Sequence, residues 1–167
     1  NQTYLDRVAR TDIISVDGIR RNPGQVKAVV ESVARNVATQ ATLASIATDA
    51  SGHGVDVTDD TVGSYLEALE RLMVVEDLLT WNTHLRSRHR LRTRPTRHFV
   101  DPSLAVAALG ATSSTLKKDL KTLGLLFESL VVRDLAGHLP THGRQSHFHR
   151  VADQAAPAVL VDDLEVH

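Results

Sequence analysis

The chain has 167 residues, of which 42% are hydrophobic and 23% are charged, and this composition excludes disordered, collagen-like and coiled-coil proteins. It has no cysteine, which excludes disulfide frameworks, thiolate zinc sites and thiol nucleophiles, and we therefore expect a reducing, cytoplasmic compartment. The formal net charge of −1 argues against a general attraction to nucleic acid or to a membrane surface.

The length allows one full domain, or one small domain with part of a second. The first residues include no initiator methionine and no targeting pattern, and no apolar run is long enough to span a membrane. We therefore expect a segment of a longer protein that makes no membrane contact.

Apolar periodicity predicts four helices in the first part of the chain. The first covers residues 4–14, and the second begins at the cap Asn22 and carries valines at helical spacing. Thr42 is the predicted cap of a short third helix. Thr58 is the predicted cap of the fourth, in which two aspartates complement the helix dipole and an apolar stripe runs over residues 62–73.

Two short extended segments follow, at residues 74–79 and 97–100, and they are predicted to pair as a hairpin with a long basic tip. Three helices, the last two joined by a turn that contains glycine, and then a hairpin give the order of a winged helix, a relative of the helix-turn-helix. The predicted fold class is mainly α with small β, with a winged-helix-like module over residues 1–101.

The remaining residues, 102–167, are predicted as a second part that begins with an Ala-rich helix over residues 103–109. A long apolar helix follows, with its cap at Ser113 or Ser114 and its end near Leu139. Because this helix is apolar nearly all round, we expect it at the centre of a core. A further strand is predicted at residues 158–161.

Five blocks of sequence resemble a known family, the C-terminal domain of unknown function (DUF4143) that lies behind an AAA-type ATPase module in many bacterial and archaeal ATP-binding proteins. The blocks are YLDR at 4–7, RNVAT at 35–39, YLEALERL at 65–72, RHFVDPSLA at 97–105 and LFESLVVRDL at 126–135. They follow the family's order and spacing over roughly residues 1–139.

The resemblance implies an upstream ATPase module, a winged-helix middle and a C-terminal part similar to restriction-endonuclease folds. The chain has no Gly-x-x-x-x-Gly-Lys-Ser/Thr loop, so ATP and Mg²⁺ are expected only in that missing module and no cofactor is expected here. After Leu139 the match is lost, so residues 102–167 are interpreted as the helices and tail of a truncated nuclease-like part.

Glu128 is a candidate catalytic residue, since nuclease-like folds place a metal-facing carboxylate on such a helix. A Mg²⁺ site needs at least one more acid, and only Asp162, Asp163 and Glu165 in the tail are offered. We favour a capping or salt-bridge role for Glu128.

Four histidines, His138, His142, His147 and His149, are candidate metal ligands because two pairs have workable spacings. No cysteine joins them, and nine histidines in the chain make such clustering common by chance, so surface histidines are the favoured interpretation.

Six arginines and no acid lie between residues 86 and 98, and they are the candidate nucleic-acid-binding residues: Arg86, Arg88, Arg90, Arg92, Arg94 and Arg97. On a wing, guanidinium groups at this density suit phosphate contacts. Equally, they suit acids of the missing ATPase module or of another protein subunit. The predicted recognition helix is acidic, so any nucleic-acid binding should be weak, nonspecific and dependent on salt.

Taken together, the sequence predicts a non-catalytic C-terminal binding or coupling module of an AAA-type ATP-binding protein, with weak nucleic-acid binding through the basic wing. Two alternatives stay open: an incomplete Mg²⁺-dependent nuclease-like domain, and a structural domain that docks on its own ATPase module. The expected partners are that ATPase module or another subunit, and nucleic acid.

Overall fold

The computed structural model describes residues 1–52, 54–78 and 94–138, with side chains described as far as residue 135. The elements in chain order are α1 (Gln2–Arg7), a π-helical segment (Val8–Asp12), α2 (Ile13–Ser15), α3 (Pro23–Arg35), α4 (Leu43–Ser51), α5 (Asp59–Arg71), β1 (Val75–Leu78), β2 (Thr96–Phe99), α6 (Pro102–Ala108), α7 (Ser113–Leu116) and α8 (Leu120–His138). These ranges are mainly helical with one antiparallel pair of strands, which confirms the fold class. Within them, no helix has the length and apolarity needed to cross a membrane.

A helical stretch opens the chain and confirms the helix predicted over residues 4–14. It contributes Leu5, Val8 and Ile13 to the core, each at most 6% exposed. The π-helical segment between α1 and α2 has a wider turn than an α-helix. That wider turn keeps Ile13 on the same buried side as the two earlier residues.

The three predicted helix caps are present in α3, α4 and α5. The side chains of Asn22, Thr42 and Thr58 each accept a hydrogen bond from a backbone N–H two or three residues further on, at 2.8, 2.9 and 3.3 Å. A cap oxygen satisfies one of the N–H groups that the first turn leaves without a partner, and this fixes where each helix begins.

The three helices pack their apolar faces together to form most of the core. Its fully buried members from these helices are Val26, Val29, Val33, Ile46, Val62 and Leu69. The valines of α3 recur three or four residues apart, which places them on one face, and this face packs against α4, α5 and α6.

The hairpin predicted after α5 is confirmed, with Val75 opposite Phe99 and Leu78 opposite Thr96 in antiparallel register. On its other edge β2 forms a bridge with Thr39, which lies between α3 and α4. The winged-helix interpretation of this order of elements stays a prediction.

The core continues past the predicted division between residues 101 and 102. Asp101 accepts a hydrogen bond from the Ser103 N–H and so caps α6. Leu104 and Ala105 of α6 are buried in the same cluster as the α3 valines, and α6 packs against α1 and α3. The helix ends before Gly110, whose φ of 60° lies in the left-handed region that favours glycine.

The long C-terminal helix was predicted to begin at Ser113 or Ser114, but it begins at Leu120. Thr112 caps a single turn, α7, through a reciprocal pair of hydrogen bonds with Thr115. Asp119 then accepts hydrogen bonds from the backbone N–H and the side chain of Thr122, in the position of a cap for α8. Two caps in succession divide the predicted helix, and α8 continues to His138, the last described residue.

Among the described residues α8 is not enclosed in a core, contrary to the prediction. In α8, Leu126 and Ser129 are buried against the body of the protein, whereas Leu120 and Phe127 are 72% and 62% exposed. Apolar residues all round a helix show that both faces avoid water, but they do not show what covers each face. Within the described ranges α8 packs on one side only. The strand predicted at residues 158–161 lies outside these ranges.

We expect Thr58→Ala to lower the free energy of unfolding by about 1 kcal/mol, because the first turn of α5 loses its cap. The midpoint of thermal unfolding, followed by circular dichroism, should fall by about 2–4 °C. The control is Thr58→Ser, which keeps the hydroxyl and should leave the midpoint close to that of the unmodified chain. Equal losses in both variants would contradict a capping role.

Candidate functional site

The arginine run extends from the segment that joins β1 to β2. Arg86, Arg88, Arg90 and Arg92 lie outside the described residues, and the structure makes no statement about them. Arg94 is exposed and lies two residues before β2. Because Leu78 and Thr96 face each other at the open end of the strand pair, the segment that carries the run starts and ends at one end of the sheet.

Arg97, the last of the six, has a structural partner. Its guanidinium lies against the Asp77 carboxylate across the strand pair, with Nη2 to Oδ2 at 3.0 Å and Nε to Oδ1 at 2.8 Å. The residue is 7% exposed. Such a pair holds β1 and β2 together, and the phosphate contact predicted for Arg97 stays a prediction. Close by, burial and then the negative charge of Asp77 raise the pKa of Glu70.

The outer face of α5 is the surface that a helix-turn-helix protein would present to the major groove. Its exposed charges are Asp59, Asp60, Glu67 and Arg71. Glu67 and Arg71 form an ion pair one turn apart, which leaves the two aspartates to set the charge of this face. An acidic face repels phosphates and offers few donors to bases.

A buried arginine connects the loop after α2 to the same helix. Arg21 donates to Asp17 at 2.6 and 2.9 Å and to the Ile13 carbonyl at 3.1 Å. Its guanidinium carbon lies 5.9 Å from the centre of the Tyr65 ring. The Arg21 hydrogen bond, and then the Ile19 N–H, lower the pKa of Asp17 to about 2. This contact between the loop and α5 was not predicted from the sequence, because Arg21 and Tyr65 are far apart in the chain.

A buried histidine and a serine join the sheet to α8. His98 Nδ1 lies 2.9 Å from Ser129 Oγ, and both residues are 0% exposed. Burial lowers the pKa of His98 because the charged ring would lose its hydration, while Glu128 and Asp77 act in the opposite direction. The two residues are 31 positions apart, and no local signal in the sequence connects them.

A serine beside a histidine is the pair that nucleophilic catalysis requires, but a substrate must also reach the serine. Here both side chains are fully buried, and the ring Nε2 has no hydrogen-bond partner within the described part of the chain. The arrangement therefore serves packing: one hydrogen bond positions α8 on β2, and the neutral ring fills the space between them.

Glu128, the candidate catalytic carboxylate, is exposed on α8 near His98. In residues 1–52, 54–78 and 94–138 no three acids, histidines or cysteines come together in a way that could hold a metal ion. The described residues therefore offer Glu128 no second carboxylate for a Mg²⁺ site.

The four candidate metal-binding histidines cannot be placed. His138 is the last residue of α8 whose backbone is described, and its side chain lies outside the described part. His142, His147 and His149 lie outside it altogether. The metal hypothesis stays a prediction.

A shallow pocket lies between α1, α3 and α6. Leu5, Val30 and Ala108 contribute its apolar lining. At its edge Lys27 Nζ contacts Asp6 Oδ1 at 2.5 Å, and this hydrogen bond lowers the pKa of Asp6. Asp6 and Lys27 neutralise each other, and the third charged residue of the lining, Glu31, pairs with Arg35. The pocket therefore offers a ligand little beyond apolar contact.

The comparisons with known proteins identify one family. Residues 1–115, more than half of the chain, match the family described as Domain of unknown function (DUF8612). No curated protein and no solved structure matched the chain.

This match corrects the resemblance to DUF4143 drawn from five short blocks, and no relation to AAA-type ATPases is found. Blocks such as YLEALERL carry the apolar periodicity of α5, where Tyr65, Leu66 and Leu69 are buried. Packing imposes that pattern on amphipathic helices of many families, so it does not identify one of them.

We expect Arg21→Gln to move the pKa of Asp17 from about 2 towards its ordinary 3.8, since the Arg21 hydrogen bond is the largest cause of the lowered value. Carboxyl titration followed by NMR measures this. Arg7→Gln, which removes the partner of Asp12 instead, is the matched control and should leave Asp17 unchanged. A pKa of Asp17 near 3.8 in the unmodified chain would rule out the ion pair.

The buried ring of His98 should make stability depend on pH. Its pKa in the folded chain is lowered from 6.5, so below pH 6.5 the unfolded chain binds a proton that the folded chain does not. This contribution to stability is fully present above pH 6.5 and is lost as the pH falls towards the folded pKa, with a slope of up to about 1.4 kcal/mol per pH unit.

Urea unfolding of the unmodified chain and of His98→Asn between pH 7.5 and 5 measures that slope. The asparagine amide can still reach Ser129 but does not titrate, so the variant should lose the contribution of one proton while the other histidines contribute equally to both. Identical slopes in the two proteins would contradict the assignment.

Proposed function

The chain belongs to that family, whose description assigns no function, and we propose that it is a non-catalytic winged-helix binding module that contacts nucleic-acid phosphates through its basic wing. The observation that carries the proposal is the strand pairing of β1 with β2. It makes the arginine-rich segment the connection of a hairpin, which is the position of a wing.

Charge density supports the choice of partner. Arg97 is held by Asp77 and Arg94 lies close to β2, so the proposal rests on the four arginines at residues 86, 88, 90 and 92. Lysine and arginine contacts with phosphates release condensed counterions, which favours binding whatever the base sequence. If each of these four contacts one phosphate, the logarithm of the affinity should fall with the logarithm of salt with a slope of about −3.6.

The charges of α5 support nonspecific binding. In a winged-helix protein that recognises a specific base sequence, the helix equivalent to α5 donates hydrogen bonds to bases in the major groove. Here its outer face presents Asp59 and Asp60, and its one exposed arginine, Arg71, is paired with Glu67. We therefore assign the wing, and not α5, to the contact, and we expect little preference for base sequence.

The absence of cysteine fits a reducing compartment, and the proposal places the protein in the cytoplasm, where nucleic acid is present. The described residues supply no assembled metal site, and the proposed binding needs no cofactor. The competing partner is another protein subunit with an acidic surface, which the same arginines would suit.

Fluorescence anisotropy with labelled duplex and single-stranded DNA, across a salt series, tests the proposal. The variant is Arg88→Ala, Arg90→Ala and Arg92→Ala combined. The matched control is Lys117→Ala, Lys118→Ala and Lys121→Ala combined, which changes the net charge by the same amount at exposed positions around α7 and α8.

We expect the unmodified chain and the lysine control to bind with the same salt slope. The arginine variant should bind more weakly, with a slope smaller by about 2.7, because three phosphate contacts are lost. If low salt gives no binding, the arginines contact protein and the proposal fails. If both triple variants lose equal affinity, the attraction is a property of total charge and the wing has no special role.

A further inference from the structure

The outer face of α8 carries five large apolar side chains that the described part of the chain leaves open. Their exposed fractions are Leu120 72%, Leu123 38%, Phe127 62%, Val131 39% and Leu135 54%. The spacings of three and four residues place all five on one face of the helix, which we call the α8 stripe. The opposite face, with Leu126 and Ser129, is buried against the body of the protein.

The α8 stripe is large enough to be a functional surface. At roughly 100 Å² for each large side chain it presents about 500 Å², which is the size of the largest apolar patch on a typical monomer, and such a patch is often functional. Two such stripes in contact would bury about 1,000 Å², which reaches the lower bound of specific protein interfaces.

The α8 stripe is symmetric about its central residue. Leu123 and Val131 lie four residues on either side of Phe127, and Leu120 and Leu135 lie seven and eight residues away. A two-fold axis through Phe127 therefore brings Leu123 of one copy onto Val131 of the second copy and Leu120 onto Leu135. A surface that matches itself under a two-fold axis suits an isologous dimer.

Charge selects the antiparallel orientation. Lys117, Lys118 and Lys121 with Asp119 give a net positive charge to the beginning of the helix. Towards its end Arg133 and Asp134 pair with each other and cancel, while Glu128 lies at its centre beside Phe127. A parallel pair would bring the two positive ends together, whereas an antiparallel pair keeps them at opposite ends of the contact, and the helix dipoles favour the same orientation.

We propose that two copies of the chain associate through α8 as an antiparallel pair, with Phe127 on the two-fold axis. The helix is 19 residues long, about 28 Å, so the α8 stripe spans most of the contact. The hydrogen bond between Ser129 and His98 holds the inner face of α8 on β2. The outer face therefore stays accessible to a second copy whether or not the wing has bound a partner. The inference is independent of the proposed nucleic-acid binding.

Introduced cysteines test the geometry, because the chain has none of its own. In the full chain, Phe127→Cys should form a disulfide-linked dimer on mild oxidation, since this position faces itself across the axis. Leu120→Cys and Leu135→Cys should each stay largely uncrosslinked alone but should crosslink when the two variants are mixed. Asp60→Cys, exposed on α5, is the control for random collisions.

Sedimentation equilibrium of the unmodified chain measures the association itself, and a dimer should form as the concentration rises through the micromolar range. Leu123→Glu should weaken it more than about tenfold, because a carboxylate would be buried without a partner. Circular dichroism checks that this variant folds, and Val131→Lys is the second variant if it does not.

Two results together overturn the proposal. The chain stays monomeric at concentrations up to about 100 micromolar, and the Phe127→Cys variant forms no crosslink. In that case another segment, such as residues 139–167, or a different protein covers the α8 stripe. Crosslinking of Leu120→Cys with itself would instead show a parallel pair and would overturn the antiparallel geometry.

Discussion

Strand β2 is hydrogen-bonded on both edges, and most of the tertiary structure depends on that constraint. On one edge it pairs with β1 along its whole length. On the other, the Arg97 carbonyl accepts from the Ala38 N–H at 2.8 Å and the Arg97 N–H donates to Thr39 at 3.1 Å. A short buried strand with unpaired backbone groups would cost several kcal/mol, so the helices on either side must bring Thr39 and β1 to it.

The side chains of β2 extend this role to other parts of the molecule. Phe99 is fully buried in the core, Arg97 pairs with Asp77 at the base of the wing, and His98 reaches Ser129 on α8. One four-residue strand therefore fixes the position of β1 and of the C-terminal helix. The two surfaces proposed to act, the basic wing and the α8 stripe, are positioned by neighbouring residues of the same strand. From the sequence, Arg97 was interpreted only as the end of the arginine run, but its ion pair with Asp77 also stabilises the fold.

Helix α8 illustrates how a block of sequence can suggest a function that the described residues do not support. The residues around Glu128 suggested the metal-facing helix of a nuclease, yet Glu128 is exposed and the described residues give it no second acid. The apolar residues around it fall into two sets with different roles. Leu126 packs against the protein, and Phe127 beside it faces outwards. A sequence reports only that both are apolar, and the difference between a core helix and an interaction surface lies in what covers each face.

The sequence by itself determined the helices, their caps and the hairpin, because these depend on neighbours within a few residues. Asn22, Thr42 and Thr58 cap the helices they were predicted to cap, and periodic valines placed the buried face of α3. It did not determine the break before α8, since Asp119 and Thr112 compete as caps with two serines of equal propensity.

Only the tertiary structure decided the contacts between distant residues. The hydrogen bond from His98 to Ser129, the ion pair of Arg97 with Asp77 and the bridge from Thr39 to β2 each join residues 20 or more positions apart. Such partners are chosen by packing and by the cost of leaving buried polar groups unsatisfied, and neither has a local pattern. The exposure of the α8 stripe among the described residues was decided in the same way, because it depends on which distant segments pack against the helix.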